Sequence, residues 1–355
     1  MDTSKLEILL QAMTRVNASA LHLVPRRVPA LRVQRRFVNA DAEPLAEDAL
    51  AELTRDMLFA DHRQQLAERG HVEVLYRARS GRRHRATVAD TDGELSLVFR
   101  PVPEAPPQLA ELEVPEQVAG FTRLRSGFVA VAGFFGSGKT ATLAGIVEAC
   151  NQDGARHVVT IEDAIQFVHS NGAALLHQRE VGRHVATAHE GVQQAMALGA
   201  DTIVVGEVAD AATLDAVLSA AESGCLVFGG VEAGSVVGAI ARLATMVAPE
   251  ERPRLRTRLA QVLRGAAAQC LLHRTHKPGR VPVVEVLVAS PAVRNAIRSG
   301  RVDELQQIMQ RCRGLGMQTT DIALRTLLNR HSIAPEEALL HAMEPDQVAS
   351  RSRGR

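Results

Sequence analysis

The sequence predicts a two-domain protein in which a smaller α+β domain precedes an α/β domain built on a parallel sheet. Strand-like apolar runs alternate with helical segments from residue 127 to residue 231, a pattern typical of parallel strands joined by crossover helices. Five prolines fall within residues 101–115, a density that excludes a regular helix or a central strand there. A chain of 355 residues is also long enough for two separate cores.

Residues 1–100 are expected to form the α+β domain. Leu6, Leu9, Leu10 and Met13 recur at helical spacing and predict an amphipathic first helix. The segment "PLAEDALAELTRDML" has the same helical pattern, and the strand-like runs are "ALHLV", "LRVQRRFV", "HVEVLYRA", "RHRATVAD" and "ELSLVFRPV". Residues 101–117 are then a proline-rich linker, 118–345 the second domain, and 346–355 a disordered basic tail.

The second domain is expected to alternate strands and helices before a helical C-terminal part. A helix ending at Gly224 separates the last two predicted strands. In order, the predicted elements are the strand "GFVAVAG", a glycine loop, the helix "TATLAGIVEAC", the strands "HVVTIED" and "DTIVVGEV", the helix "ATLDAVLSAAESG" and the strand "CLVFGGV". From about residue 253 the pattern is helical, apart from a strand pair flanking "KPGR".

Composition argues against several classes of function. Forty-one basic and 40 acidic residues leave a net charge of +1, and there is no Trp and one Tyr, so nucleic acid is not an expected partner. No stretch of about 18 uncharged apolar residues occurs, which predicts no membrane span and a cytoplasmic protein. The four cysteines are widely spaced without a C-x-x-C motif, which argues against a zinc site and a disulfide framework.

The loop "GFFGSGKT" satisfies the pattern G-x-x-x-x-G-K-[ST] between a predicted strand and a predicted helix. Its glycines let successive N–H groups point at phosphate oxygens, and the start of the helix adds the positive end of its dipole. Lys139 is expected to reach the β- and γ-phosphates of ATP. The residues predicted to bind the nucleotide are Gly133, Gly136, Ser137, Gly138, Lys139, Thr140 and Ala141.

A carboxylate at the end of a later strand completes such a site. In "DTIVVGEV" this is Glu207, which follows Lys139 by 68 residues in the alternating frame. Thr140 and Glu207 are therefore the predicted ligands of Mg²⁺. The acidic loop "TIEDAIQFVH" adds Glu162 as a further candidate for catalysis.

Several motifs together resemble those of PilT-like type IV pilus retraction ATPases, within the secretion ATPase superfamily that includes GspE-like and PilB-like motors. The motifs lie in the same order with similar gaps: "GSGKTATLAGIVEACN", "HVVTIEDAIQFVH", "HQREVGR", "IVVGEVAD", "AAESGCLVFG", "SPAVRNAIRSG" and "LGMQTTDIAL". The resemblance covers residues 120–345 well and the first 100 residues weakly. It implies a RecA-like P-loop NTPase domain preceded by a PAS-like domain.

The resemblance also implies partners and a location. Such proteins form hexameric rings that work on an inner-membrane platform protein at the pilus base. We therefore expect a homo-hexamer, or a mixed ring with an active paralogue, peripheral to the inner membrane and without a span of its own.

This sequence departs from the family pattern at catalytic positions. The family usually has T-I-E-D-P-I-E-F-V-H in the acidic loop, and its second Glu activates the attacking water; here that position is Gln166. An amide cannot accept the proton, and general-base catalysis is typically worth about 10²- to 10⁴-fold. Cys225 and Glu232 stand where the family has two histidines, and Ala209 and Asp90 stand where it has arginines. These changes predict ATP binding with weak or absent hydrolysis.

Three hypotheses of function remain open. The first is an accessory or regulatory ATP-binding subunit of type IV pilus machinery, and the second is an active retraction ATPase in which Glu232 or Glu162 replaces the base. The third is a nucleotide-gated scaffold unrelated to pili. Arg294 and Arg298 in "SPAVRNAIRSG" occupy one helical face, which is either a solvated basic surface or, as the resemblance implies, a partner-binding surface.

Overall fold

The structure is a computed structural model that describes residues 3–33, 36–46, 48–91, 93–103 and 105–349. Contacts along the chain divide it into two compact units, each described separately below. The first comprises residues 1–105 with 166–168, and the second comprises 106–165 with 169–355. The division at residues 105 and 106 falls inside the proline-rich segment. Residues 350–355, most of the predicted basic tail, lie outside the described residues.

In its described residues, the first unit is an antiparallel sheet with three helices. Its helices are α1 (Thr3–Arg15), α2 (Ala49–Met57) and α3 (Ala60–Arg69). Its strands are β1 (Ala20–Leu23), β2 (Ala30–Val33), β3 (Arg36–Asn39), β4 (His71–Arg77), β5 (Arg83–Thr91) and β6 (Glu94–Pro101). Neighbouring strands pair antiparallel in the order β3-β2-β1-β6-β5-β4.

Amphipathic patterns explain how this unit forms its core. The buried face of α1 carries Leu6, Leu9, Leu10 and Met13, which confirms the predicted first helix. Buried and exposed residues alternate along β4 and β5, as expected for strands with one face on a core. The buried face of α1 and the buried faces of β4 and β5 contribute to one hydrophobic core, which includes Phe99.

Two local predictions for this unit need correction. The run "LRVQRRFV" was expected to form one strand, but β2 and β3 divide it into an antiparallel pair in which Val33 faces Arg36. The helix α3 was not predicted, because its ten residues contain few apolar side chains and none of them is buried.

The second unit alternates strands and helices and then becomes largely helical. Its strands are β7 (Gly127–Ala132), β8 (His157–Glu162), β9 (Leu175–Glu180), β10 (Thr202–Val205), β11 (Leu226–Val231), β12 (Leu263–His273) and β13 (Arg280–Val288). Its helices are α4 (Glu116–Phe121), α5 (Lys139–Asn151), α6 (Ala188–Ala197), α7 (Ala211–Glu222), α8 (Val236–Ala244), α9 (Arg252–Val262), α10 (Pro291–Arg298), α11 (Leu305–Arg311), α12 (Thr320–Asn329), α13 (Pro335–His341) and α14 (Pro345–Ala349). The element β9 and the helix α6 were not predicted from the sequence.

The sheet of the second unit is mostly parallel, with strand order β13-β12-β7-β11-β10-β8-β9. Only the β12–β13 hairpin pairs antiparallel. Every residue of β7 is buried: Phe128 and Ala130 pack into the core on one face, and Val129 and Val131 pack into the core on the other. A strand covered on both faces has a continuous run of apolar residues. This is why the strand β7 could be predicted from its sequence.

One edge of this sheet gathers the polar residues that the sequence singled out. The glycine loop follows β7, Glu162 ends β8, Glu207 follows β10 and Glu232 follows β11. Since these strands are parallel, their carboxyl ends lie at the same edge, where open α/β sheets bind ligands. Among the described residues, no helix is long and apolar enough to cross a membrane.

Candidate functional site

The glycine loop after β7 has the backbone of a phosphate-binding turn. Gly136 and Gly138 have φ values of +79° and +89°, which side chains with a Cβ rarely adopt. A Cβ added to Gly133 would lie 2.1 Å from the Ser137 Oγ, so the turn closes tightly on itself. Loops of this shape direct backbone N–H groups inward and form a concave anion site.

Helix α5 begins directly at the loop. Gly138 is its N-cap, and Lys139, Thr140 and Ala141 form its first turn. The first N–H groups of a helix have no intrahelical acceptor and carry the positive end of the helix dipole. The predicted nucleotide-binding residues therefore occupy one continuous loop and helix start, as phosphate binding requires.

Lys139 forms an ion pair with Glu207, the carboxylate that follows β10. The ammonium contacts Oε2 of Glu207. The other oxygen, Oε1, is buried and has no hydrogen-bond partner in the described part of the chain. A buried carboxylate oxygen left in this state fits a hard cation such as Mg²⁺, which prefers oxygen ligands. Thr140, the other predicted ligand, lies in the first turn of α5 beside Lys139.

The acidic loop is fixed at its start by side-chain hydrogen bonds. The Thr160 hydroxyl donates to Glu162 Oε1 over 2.7 Å, and the Gln178 amide donates to the same oxygen over 3.3 Å. Glu162 is half-buried. Because its Oε1 already accepts two hydrogen bonds, its carboxylate is oriented by the protein.

Gln166, the residue predicted to stand in place of a general base, is half-buried. The loop around it is held by Glu180 of β9, whose Oε2 accepts the N–H of Ile165 over 3.1 Å. On the other side of Gln166, the His169 N–H donates to Gln178 Oε1 over 3.0 Å. These contacts of β9 were missed by the sequence analysis, which assigned that segment no strand.

His169 anchors the end of this loop. Its Nδ1 lies 2.9 Å from Glu148 Oε2 on α5, and its side chain is almost fully buried. Burial lowers the pKa of His169, although the hydrogen bond to Glu148 acts in the opposite direction. The imidazole is therefore neutral near pH 7 and donates to the Glu148 carboxylate.

Glu232 follows β11 and is exposed. The segment that carries it passes close to the glycine loop, because a Cβ on Gly234 would lie 2.7 Å from the Phe134 ring. A carboxylate here has solvent on one side and the sheet edge on the other. The next residue of the loop, Phe135, is 95% exposed.

Two residues from β12 and β13 support the glycine loop and were not predicted. Gln269 donates from Nε2 to the Ser137 carbonyl over 2.9 Å. Arg280 donates from Nη1 to the Gly136 carbonyl over 3.3 Å. They lie more than 130 residues downstream of the loop, so no local motif pointed to them.

The remaining arginines make separate contacts. Arg85, on the strand β5 that also carries Asp90, pairs with Glu73 in the first unit at 3.4 Å. Arg294 on α10 donates to the Gln261 carbonyl over 3.1 Å. Arg298 ends the same helix. Burial lowers the pKa of Arg294, and the charges of Arg264 and Arg298 lower it further. Within the described ranges, no three His, Cys, Asp or Glu residues form a metal-binding cluster.

Comparison with known proteins gives consistent matches. The family described as "Type II/IV secretion system protein" matches residues 109–333. The chain is 32% identical to the "Twitching motility protein" of Neisseria gonorrhoeae, over 81% of this chain and 78% of that one. It is 31% identical to the "Type IV pilus retractation ATPase PilT" of Pseudomonas aeruginosa, over 95% of this chain and 98% of that one.

A solved structure extends this similarity to the fold. The crystal structure of "the Pilus Retraction Motor PilT and Bound ADP" superposes with a TM-score of 0.87 at 28% identity. The superposition covers 96% of this chain and 98% of that one.

Proposed function

Because this chain belongs to the family of type II/IV secretion system proteins, we propose that it is an ATP-binding subunit of type IV pilus machinery that hydrolyses ATP weakly or not at all. Its mixed α/β fold is that of the RecA-like secretion ATPases. The observation that carries the proposal is an intact phosphate-binding loop combined with an amide, Gln166, at the position of the general base.

ATP binding is supported by the geometry of the loop. The N–H groups of the loop and of the first turn of α5 receive the phosphates, and Lys139 neutralises part of their charge. Lys139 contacts Glu207 in the structure, so nucleotide binding requires Lys139 to turn from the carboxylate to the phosphates. Thr140 and Glu207 would hold Mg²⁺, which would supply further positive charge beside the phosphates.

Weak hydrolysis follows from the chemistry of the acidic loop. Gln166 can hold a water molecule by hydrogen bonds but cannot remove its proton. Glu162 is committed to Thr160 and Gln178, which makes it a poor substitute. Glu232 is the stronger alternative base, since it is exposed at the carboxyl end of β11.

The remaining assignments also rest on the family. We propose a hexameric ring, either homomeric or mixed with an active paralogue, peripheral to the inner membrane and acting on a pilus platform protein. Arg294 and Arg298 at the end of α10 are the proposed contacts to that partner. The first unit, an antiparallel sheet with flanking helices, is proposed to serve as a PAS-like domain.

The test is to measure Mg-ATP binding and steady-state hydrolysis for the wild type and for Gln166→Glu. We expect the wild type to bind ATP with turnover near background, and Gln166→Glu to raise the rate at least tenfold, because general-base catalysis is typically worth about 10²-fold or more. Gln193→Glu on the exposed face of α6 makes the same change of charge outside the site and is the control.

Two outcomes contradict the proposal in different ways. A wild-type rate of about 1 s⁻¹ or more, in the ordinary range of enzymes, identifies an active motor and directs mutagenesis to Glu232. A wild type that binds no nucleotide removes the proposed role of the glycine loop altogether.

A further inference from the structure

Gln269 lies directly behind the glycine loop, on strand β12. This strand pairs in parallel with β7, and Ala268 faces Ala132, the last residue before the loop. Gln269 therefore lies at the point where the loop leaves the sheet. Its side chain is 5% exposed, so both polar ends of its amide need partners within the protein.

Both ends of the amide have such partners. Nε2 donates to the Ser137 carbonyl at 2.9 Å, and Oε1 accepts from the Thr142 hydroxyl at 2.8 Å. Thr142 belongs to α5 and is itself buried. The Ser137 carbonyl can only accept, so it fixes which end of the amide faces the loop, and the Thr142 hydroxyl then donates to the other end. Gln269 thus links the loop to its own helix.

This contact determines the direction of one N–H group in the loop. The peptide bond between Ser137 and Gly138 is trans, so its carbonyl and its N–H point in opposite directions. Because Gln269 holds the carbonyl toward β12, the N–H of Gly138 faces away from β12. That N–H is one of the groups through which a loop of this kind binds phosphate.

Close packing restricts any other arrangement. A Cβ on Gly138 would lie 2.9 Å from Gln269 Nε2, so the backbone of the loop lies directly against the amide. Arg280 holds the neighbouring Gly136 carbonyl, but from an exposed position where water competes for the hydrogen bond.

We infer that Gln269 is a positioning residue for nucleotide: it presets the Ser137–Gly138 peptide so that the Gly138 N–H is directed at the phosphates before they arrive. This inference rests on the proposed nucleotide binding and adds a residue that no phosphate-loop motif contains. Presetting a binding group raises affinity because the cost of ordering it is met in the free protein.

The first test compares Gln269→Leu with Gln318→Leu. Gln318 is a matched control in the same unit, since its Nε2 also donates to a backbone carbonyl, that of Val284, at 2.6 Å. We expect Gln269→Leu to weaken ADP and ATP binding about five- to tenfold, the equivalent of about 1 to 1.4 kcal/mol. This is the usual net effect of one lost hydrogen bond. Gln318→Leu should bind ADP and ATP like the wild type, while its melting temperature should be similar to that of Gln269→Leu.

The second test uses Gln269→Glu and the pH dependence of ADP affinity. An ionised carboxylate places an acceptor against the Ser137 carbonyl, whereas the protonated acid restores a donor. The affinity of this variant relative to the wild type should therefore rise as the pH is lowered from 8 to 5.5, because burial raises the pKa of such a carboxyl. A purely structural role of Gln269 predicts parallel pH profiles.

The outcomes separate this inference from the proposed function. If the wild type and Gln318→Leu bind ADP and a folded Gln269→Leu binds it equally well, only the positioning role is wrong. If Gln269→Leu does not fold, the pH profile of Gln269→Glu decides, and a profile parallel to the wild type rejects the inference. If the wild type binds no nucleotide, both proposals fail.

Discussion

Glu207→Gln should tighten nucleotide binding when Mg²⁺ is absent and weaken it when Mg²⁺ is present. Lys139 is held by Glu207, and it must leave this partner to reach the phosphates. The amide keeps the shape of the side chain but holds the ammonium less strongly. It also removes a negative charge near the phosphates. With Mg²⁺, by contrast, the variant lacks a carboxylate ligand for the metal.

The magnitude follows from the partial exposure of the pair. The Lys139 and Glu207 side chains are 15% and 24% exposed, so water still reaches both. The Coulomb energy of two charges about 4 Å apart near a protein surface is about 4 kcal/mol. Exposed ion pairs contribute a net value of only about 0.2 to 1 kcal/mol, because side-chain ordering and screening oppose the attraction. We take the upper end of this range for Lys139 and Glu207, which are less exposed. Releasing about 1 kcal/mol corresponds to a roughly fivefold gain in affinity for free ADP.

The assay is titration of ADP into each protein in EDTA and again in excess Mg²⁺. Glu250→Gln, an exposed site on the same unit, makes the same charge change and should match the wild type in both buffers. The reasoning is refuted if Glu207→Gln binds ADP in EDTA no more tightly than the wild type. It is also refuted if Mg²⁺ improves the affinity of the variant and the wild type equally.

Two further predictions concern stability. Gly230→Ala should lower the free energy of unfolding, measured in urea, by about 1 to 3 kcal/mol, because its Cβ would lie 1.9 Å from the Gly206 carbonyl oxygen. The control is Gly314→Ala, whose Cβ would have no atom within 4 Å and which should show little change. Equal stability of the two variants would contradict the packing argument. Burial lowers the pKa of His169 below its usual 6.5, so the stability it confers is complete above pH 6.5 and is lost as the pH falls below that value, by at most about 1.4 kcal/mol per unit. Comparing wild type and His169→Asn in urea at pH 7.5 and 5.5 should show a smaller acid loss in the variant, and an equal loss would show that His169 does not titrate in this range.

The features predicted correctly from sequence are those with a local cause. The glycine loop needs Gly136 and Gly138 for positive φ, and it needs a buried strand before it and a helix after it. The strand, the loop glycines and the helix each have a recognisable sequence pattern, and together they lie within about 25 consecutive residues. The predicted strand before Glu207 also had a local signal, a short apolar run, and in the structure Glu207 follows β10 and pairs with Lys139. Its role as a metal ligand stays a prediction.

The features that were missed depend on distant parts of the chain. Gln269 and Arg280 reach the loop only because β12 and β13 extend the sheet beside β7. Glu180 acts through β9, whose residues alternate without a strong apolar signal because none of them is buried. A single sequence without aligned relatives does not show which distant strands pair with each other. The strand pairing of the folded sheet is what brings these side chains next to the two loops.

The position of the strands gives the two halves of the site different local stabilities. The glycine loop leaves β7, which has strands on both sides, whereas the residues around Gln166 are held by β8 and by β9, the last strand of the sheet. A terminal strand opens more readily than an interior one, so hydrogen exchange should be faster around the acidic loop than behind the glycine loop. The proposed phosphate-binding loop and the acidic loop are therefore expected to differ in local stability, so that substitutions in the acidic loop can leave the shape of the glycine loop unchanged.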